Sequence, residues 1–148
     1  MFKHMLLPTD GSKLSERAVE RGLELAKSIG ARVTSVHVIP EFRLMADESF
    51  ALPTSADLKK RYEREAKARA EKLLQKITAR AEAMAVKCEG VVIVGDVPYE
   101  HIIETAKKRK CDLIMMASHG RRGLSGLLLG SETSKVLTHS KIPVLVVR

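Results

Sequence analysis

The chain has 148 residues, of which 45% are hydrophobic and 30% are charged, a composition typical of one folded domain and not of a disordered or collagen-like chain. Its 26 basic and 18 acidic residues give a net charge of +8, which suits a polyanionic partner, yet aromatic residues are scarce and no nucleic-acid-binding motif accompanies the charge. No apolar run approaches the roughly 20 residues of a membrane span, and no secretory signal is present, so we expect a cytoplasmic protein without a membrane partner.

Strand-like apolar runs alternate with segments of helical period along the chain. Strands are predicted over residues 3–8, 31–39, 86–94, 112–117 and 142–147. Helices are predicted from Gly11-Ser12 to a stop at Gly30, and over residues 57–84, 97–110 and 131–139. Residues 40–55 are predicted to form a long loop. Because no linker separates these elements, we expect a single domain over residues 1–148.

The second predicted helix carries an apolar stripe at helical spacing. The stripe consists of Leu58, Tyr62, Ala66, Ala70, Leu73, Ile77, Ala81 and Met84. On the opposite side, Glu63 with Lys67 and Glu65 with Arg69 are spaced to form i,i+4 ion pairs. Nine basic residues lie between positions 59 and 80, but the interleaved acids favour a solvated face over a nucleic-acid surface.

The strands are nearly continuous runs of Val, Ile, Leu and Met. Such runs are typical of a parallel sheet that helices cover on both faces, so the sequence predicts an α/β fold with a doubly wound, five-stranded parallel sheet. Sheets of this kind bind ligands at the carboxyl ends of their strands, where the winding reverses. The predicted site therefore lies in the loops after the first and fourth strands, residues 8–12 and 117–131.

The loop after the fourth strand has a glycine pattern that fits an anion site. It reads Ala117-Ser118-His119-Gly120, then nine residues, then Gly130-Ser131. Gly120 can bring its backbone close to a ligand, and Gly130-Ser131 opens a helix whose free amides attract anions. The pattern is neither a Walker A loop nor GxGxxG. The alternative is that Gly120, Gly123 and Gly126 are turn residues and Ser131 is an N-cap, and the spacing alone leaves both interpretations open.

These motifs resemble the universal stress protein family, in particular its nucleotide-binding branch. The family's signature is a Gly, two residues, a second Gly, nine residues and then Gly-Ser or Gly-Thr, and it matches residues 117–131 except at Ala117. The family's opening Pro-x-Asp-x-Ser is present at residues 8–12, and its closing Pro-Val-Leu-Val-Val at residues 143–147. The order of strands, helices and loops is similar over essentially the whole length.

The resemblance implies a Rossmann-like fold of the adenine nucleotide α-hydrolase type and an ATP-binding protein of stress response or regulation, with weak hydrolysis at most. The implied nucleotide-binding residues are Pro8, Thr9, Asp10 and Val38 around the adenine and ribose, Met116 and Ala117 beside the sugar, and His119, Gly120, Gly130, Ser131, Glu132 and Thr133 at the phosphates. Each has a structural alternative: Asp10 as a cap of the first helix, Val38 and Met116 as core residues, and His119 as a backbone contributor.

The sequence departs from the family pattern at two positions. Ala117 replaces the first Gly of the signature, and its methyl group would narrow the pocket beside the ribose. Glu132 places a carboxylate in the first helical turn, where it would repel a triphosphate unless it points away or shares a divalent ion such as Mg²⁺ with it. ADP or AMP could then compete with ATP.

Catalysis and metal binding have little support in the sequence. The local candidates for a general base, Asp10, His119 and Glu132, have no partner at a diagnostic spacing, so we expect a nucleotide-responsive switch and no catalytic residue. Ligand binding would order residues 121–129 or the loop at 40–55. Cys88 and Cys111 lack CxxC spacing, which favours buried thiols over a zinc or redox site.

The apolar C-terminal strand predicts a protein interface. The winding places residues 144–147 at the edge of the sheet, and uncharged edge strands tend to pair with another chain. We therefore expect a homodimer, as the resemblance also implies, and a regulatory protein partner whose identity the sequence does not give. Two further hypotheses remain open: a dimeric interaction module that binds no nucleotide, and a protein that associates weakly with nucleic acid through its basic residues.

Overall fold

A computed structural model describes residues 1–42, 55–120 and 129–148 of the chain. Within these residues, strands and helices alternate. The strands are β1 (His4–Pro8), β2 (Arg32–Ile39), β3 (Cys88–Val94), β4 (Leu113–Ala117) and β5 (Val144–Val147), and the helices are α1 (Lys13–Ile29), α2 (Ser55–Ala83), α3 (Pro98–Lys108) and α4 (Ser131–His139). Every element predicted from the sequence is present.

The five strands form one parallel sheet in the order β3-β2-β1-β4-β5. The predicted doubly wound α/β fold is therefore confirmed, and the winding reverses between β1 and β4. The pairing of these two strands joins Met5 to Leu113 and Leu6 to Ile114, and both strands run on beyond it to Pro8 and Ala117. Their carboxyl ends flank the crevice where sheets of this type bind ligands.

Helix α1 begins and ends where the sequence predicts. Ser12 is its N-cap, and the Ser12 side chain accepts a hydrogen bond from the Ser15 N–H at 3.2 Å. Gly30 ends the helix in the left-handed region, with φ +67°, and its N–H donates to the carbonyls of the last turn. Both signals are local, so the sequence itself specifies where this helix begins and ends.

Strands β3 and β5 begin two residues later than predicted, against one residue for the other strands, because hydrogen bonds take up the residues before them. After α2, the Val86 N–H donates to the Ala81 carbonyl at 2.8 Å, which closes the helix, and β3 begins only at Cys88. Before β5, the Ser140 hydroxyl both accepts from the Ile142 N–H and donates to the Ile142 carbonyl. That turn holds Ile142 out of the sheet, and β5 begins at Val144.

A hydrophobic core lies on each face of the sheet. One core is built on α1 and α2 and includes Met5, Leu7, Leu23, Leu74 and Ile77. The other is built on α3 and α4 and includes Leu6, Val36, Ile103, Ile114 and Val136. Of the cysteines predicted to be buried, Cys111 is buried and Cys88 is only partly buried, because Cys88 lies on edge strand β3; neither forms a disulfide.

Helix α2 departs from its predicted stripe at two positions. Leu74 is the buried residue and Leu73 is not, while Leu58 is 44% exposed, in a stretch, residues 56–61, where every residue is exposed. Although α2 has 29 residues, neither it nor another described helix is long and apolar enough to cross a membrane.

The predicted ion pairs of α2 are partly reshuffled. Glu65 does lie beside Arg69, at 3.9 Å. Glu63 instead pairs with Lys59 at 3.8 Å and Lys67 with Glu71 at 3.9 Å, because each charge has more than one partner at i,i+4 spacing.

Candidate functional site

The loops after β1 and β4 meet at the switch point of the sheet, as the sequence predicts. Gly120 lies so close to Asp10 that a Cβ added to it would stand 2.5 Å from Asp10 Oδ2. The two signature segments, residues 8–12 and 117–131, are far apart in sequence but meet at this contact. A carboxylate and a backbone without a side chain face each other there.

The β1–α1 loop is held by its own hydroxyl and carboxylate groups. The Gly11 N–H donates to Thr9 Oγ1 at 3.1 Å, and Thr9 Oγ1 lies 3.0 Å from Ser15 Oγ. Asp10 Oδ1 accepts from the Ser12 N–H at 2.9 Å. Because Ser12 is the N-cap of α1, the alternative that Asp10 caps this helix is wrong; Asp10 fixes the loop that precedes the cap.

His37 supports the same loop and was not singled out from the sequence. Its Nδ1 lies 2.7 Å from the Thr9 carbonyl oxygen, and because a carbonyl can only accept, Nδ1 carries the proton. The strand register pairs Pro8 with Val36, so His37 follows beside Thr9. Sequence periodicity places His37 on β2 but gives no register between β1 and β2, which is the information needed to see this contact.

The β4 side of the site is tied to β5 and α4. The Ser118 N–H donates to the Val147 carbonyl at 2.7 Å, and the Gly130 N–H donates to the Ser118 carbonyl at 2.8 Å. Thr133 Oγ1 donates to the Ala117 carbonyl at 2.9 Å. These bonds bring Gly130 against residues 118–120, and a Cβ on Gly130 would stand 3.2 Å from backbone atoms of Ser118 and His119.

Helix α4 points its first turn at this crevice. Its N-cap is Gly130, which offers no side-chain hydrogen bond, so the alternative that Ser131 is the N-cap is wrong. The first amides of a helix have no partner within it, and they carry the positive end of the helix dipole. The first turn is therefore built to attract an anion beside Gly120.

Glu132 does not place its carboxylate among these amides. Oε2 accepts from the Tyr99 N–H of α3 at 2.9 Å, and Oε1 accepts from Lys135 Nζ at 3.0 Å. The sequence left two arrangements open for Glu132: a side chain that points away from the phosphates, or one that shares a divalent ion with them. The side chain points away. Its charge is satisfied by α3 and by Lys135.

The remaining predicted site residues differ in how they reach the crevice. Met116 is buried in the core on α3 and α4, and Val38 is partly buried and packs against that core. Pro8, Thr9 and Ala117 are buried at the strand ends, and Ser131 is exposed. Ser118 Oγ lies 2.9 Å from His119 Nδ1, so these two neighbouring side chains are hydrogen-bonded to each other.

The predicted ligand-ordered segments, residues 121–129 and 40–55, fall largely outside the described residues. Within the part of the chain that the structure describes, no group of three His, Cys, Asp or Glu side chains could hold a metal ion.

The family model of the universal stress protein family matches residues 1–148. The chain is 35% identical to universal stress protein MJ0531 of Methanocaldococcus jannaschii, over all of this chain and 83% of that protein. Its fold is similar to the solved structure of MJ0577 from the same organism, with a TM-score of 0.83, 29% identity, and 99% and 96% of the two chains covered. A universal stress protein crystallised in complex with cAMP aligns with a TM-score of 0.71 and 27% identity, over 99% and 97% of the chains.

Proposed function

Since the chain belongs to the universal stress protein family, we propose that it binds an adenine nucleotide, ATP, ADP or AMP, in the crevice between β1 and β4. It would act as a stress-response or regulatory switch and hydrolyse ATP weakly or not at all. The similar protein crystallised with cAMP supports an adenine nucleotide as the ligand class. A cytoplasmic location remains the prediction made from the sequence.

The observation that carries this proposal is the contact between Gly120 and Asp10 beside the start of α4. A nucleotide needs a hydrogen-bonding group for its ribose and a positive, side-chain-free surface for its phosphates. Asp10 offers a carboxylate to sugar hydroxyls, and Gly120 and the first turn of α4, residues 131–133, offer main-chain N–H groups. Thr9 and the backbone of Val38 would border the base.

The position of Glu132 affects which nucleotide binds. Its carboxylate is engaged by Tyr99 and Lys135, so the repulsion of a triphosphate is reduced and ATP becomes an acceptable ligand. A divalent ion bound with the phosphates, such as Mg²⁺, would lower the remaining repulsion further. Ala117 is buried with its carbonyl held by Thr133, so its methyl group narrows the sugar side without blocking the phosphates.

We also propose that the protein is a homodimer that pairs through β5. This strand lies at an edge of the sheet and is uncharged, and Leu145 within it is 42% exposed. Bare apolar edges are favoured sites for pairing with a second copy. Because Ser118 bonds to Val147, the dimer strand and the nucleotide loop are directly connected, which is how nucleotide binding would reach a regulatory partner.

Calorimetric titration of nucleotide-stripped protein with ATP, ADP and AMP, with and without Mg²⁺, tests the nucleotide proposal. The matched variant is Gly130→Val, whose side chain would collide with backbone at Ser118 and His119. We expect binding by the wild type and its loss in the variant. If the folded wild type gives no heat with any nucleotide, the nucleotide proposal is wrong and a dimeric interaction module is the better description.

A further inference from the structure

The Glu132 carboxylate serves a helix other than its own. Helix α3 starts without a side-chain cap, since its N-cap is Val97 and Pro98 follows. Glu132 Oε2 accepts the Tyr99 N–H at 2.9 Å, so a residue of α4 caps α3. Lys135 completes the arrangement: its Nζ pairs with Oε1 and lies 5.5 Å from the centre of the Tyr99 ring.

Helix α4 has few other means of fixing its first turn. It is nine residues long, and only Thr133 and Val136 in it are buried. Two side chains of the first turn reach outward: Thr133 to the Ala117 carbonyl on β4, and Glu132 to α3. A short helix with so little buried surface depends on such anchors for its orientation. The direction of its first amides is therefore set by three contacts: the Gly130 N–H on the Ser118 carbonyl, Thr133 on β4 and Glu132 on α3.

We infer that Glu132 is a positioning residue for the phosphate part of the site, an inference that rests on the proposed function. The carboxylate does not contact phosphate. It holds α4 against α3 so that the main-chain N–H groups of residues 131–133 converge on the ligand, and its charge is neutralised by Lys135 and the positive end of α3. In this role Glu132 favours phosphate binding, whereas an acidic side chain that faced the phosphates would oppose it.

The test compares Glu132→Ala with Glu132→Gln, whose amide oxygen can still accept the Tyr99 N–H. Glu104→Ala is the matched control, because it removes one exposed carboxylate of α3 that pairs within that helix, with Lys108. Each protein is titrated with adenosine, AMP, ADP and ATP. We expect Glu132→Ala to weaken AMP, ADP and ATP binding about threefold to tenfold and to leave adenosine binding unchanged. Glu132→Gln and Glu104→Ala should stay within about twofold of the wild type.

Three results would overturn the inference while the wild type still binds nucleotide. Tighter binding by both Glu132 variants, increasing from AMP to ATP, would mean that the carboxylate faces the phosphates. An equal loss for adenosine would mean a general loss of structure, and unchanged affinities would mean no role. If the wild type binds none of the four ligands, the proposed function fails as well, so the two failures are distinguishable.

Amide hydrogen exchange provides a readout that needs no ligand. The amides of Tyr99 and Ser134 are hydrogen-bonded, to Glu132 Oε2 and to the Gly130 carbonyl. We expect both to exchange faster in Glu132→Ala than in Glu104→Ala. Unchanged exchange at Ser134 would show that Glu132 does not fix the first turn of α4 and would contradict the inference.

Discussion

Gly120 leaves no space for a side chain at the centre of the site. An added Cβ would stand 2.5 Å from Asp10 Oδ2, and Asp10 cannot swing away without losing its bond to the Ser12 N–H. We therefore expect Gly120→Ala to weaken ATP binding at least about tenfold, because the methyl group displaces Asp10 and fills the space for the ligand. Calorimetric titration measures the change.

Gly90→Ala is the control for crowding alone. Its added Cβ would stand 2.9 Å from Leu74 Cβ, on β3 and away from the crevice. This variant should unfold at a lower temperature but bind ATP as the wild type does. Equal affinities in the Gly90 and Gly120 variants would mean that Gly120 does not border the nucleotide.

The two thiols should be unreactive at neutral pH. Burial raises the pKa of Cys88 and of Cys111 to about 11, and the thiolate is the reactive form. With a raised pKa the thiol stays protonated until the solution is strongly alkaline, so alkylation by iodoacetamide should be slow at pH 7 and accelerate towards pH 11. Mass spectrometry of the intact folded protein measures the rate, with the unfolded protein as control. Rapid alkylation at pH 7 in folded protein would contradict the raised pKa values, which come from the burial of Cys111 and the partial burial of Cys88.

At the residue scale, the sequence predicts which residues lie at the crevice better than it predicts which atoms their side chains contact. Glu132 and Gly120 are both identified from the loop pattern, yet the direction of the Glu132 carboxylate depends on Tyr99, 33 residues away, and on how α3 packs against α4. His37 is missed for the same reason. Its partner is a carbonyl of another strand, and only the register of the sheet brings them together.

The buried stripe of α2 gives a sharp test at the scale of one element. Leu74 is 4% exposed and packs in the core on α1 and α2, whereas Leu73 is only partly buried. We expect Leu74→Ala to lower the free energy of unfolding by about 2–4 kcal/mol, and Leu73→Ala by less than about 1 kcal/mol. Chemical denaturation measures both. Equal losses would show that α2 is rotated relative to the sheet from the orientation described.

Elements with local signals are predicted closely, and elements without them are not. The capping signals of α1 lie in the sequence itself, at Ser12 and Gly30. In α2, Leu73 and Leu74 compete for the core with equal hydrophobicity. The position of the sheet decides, because Leu74 faces Gly90 on β3, a contact that helical spacing alone does not contain.

At the scale of the whole molecule, the exposed edge at β5 predicts a dimer. We expect Leu145→Glu to convert the dimer to a monomer, because a charge in an edge strand opposes pairing with a second strand. Leu58→Glu is the matched control, since Leu58 on α2 is 44% exposed and Leu145 is 42% exposed. Light scattering after size-exclusion chromatography measures the mass. A wild-type monomer, or a dimer that persists in the Leu145 variant, would contradict pairing through β5.

The topology follows from the sequence because few arrangements suit its pattern. Apolar strands separated by helices require parallel pairing with right-handed crossovers, and the switch point then lies between β1 and β4. That is enough to place Asp10 and Gly120 in one crevice before any coordinates are known. The topology does not assign a function to the net charge of +8. On α2, basic residues such as Lys59, Lys67 and Arg69 pair with acidic residues of the same helix.

Binding of adenine nucleotide at the crevice between β1 and β4 can be tested by titrating isotope-labelled protein with ATP and following the backbone amide signals in nuclear magnetic resonance spectra. We expect the largest shifts at Asp10, Gly120 and residues 130–133. Shifts confined to the basic face of α2, residues 59–80, or no shifts at saturating ATP, would contradict binding at this crevice.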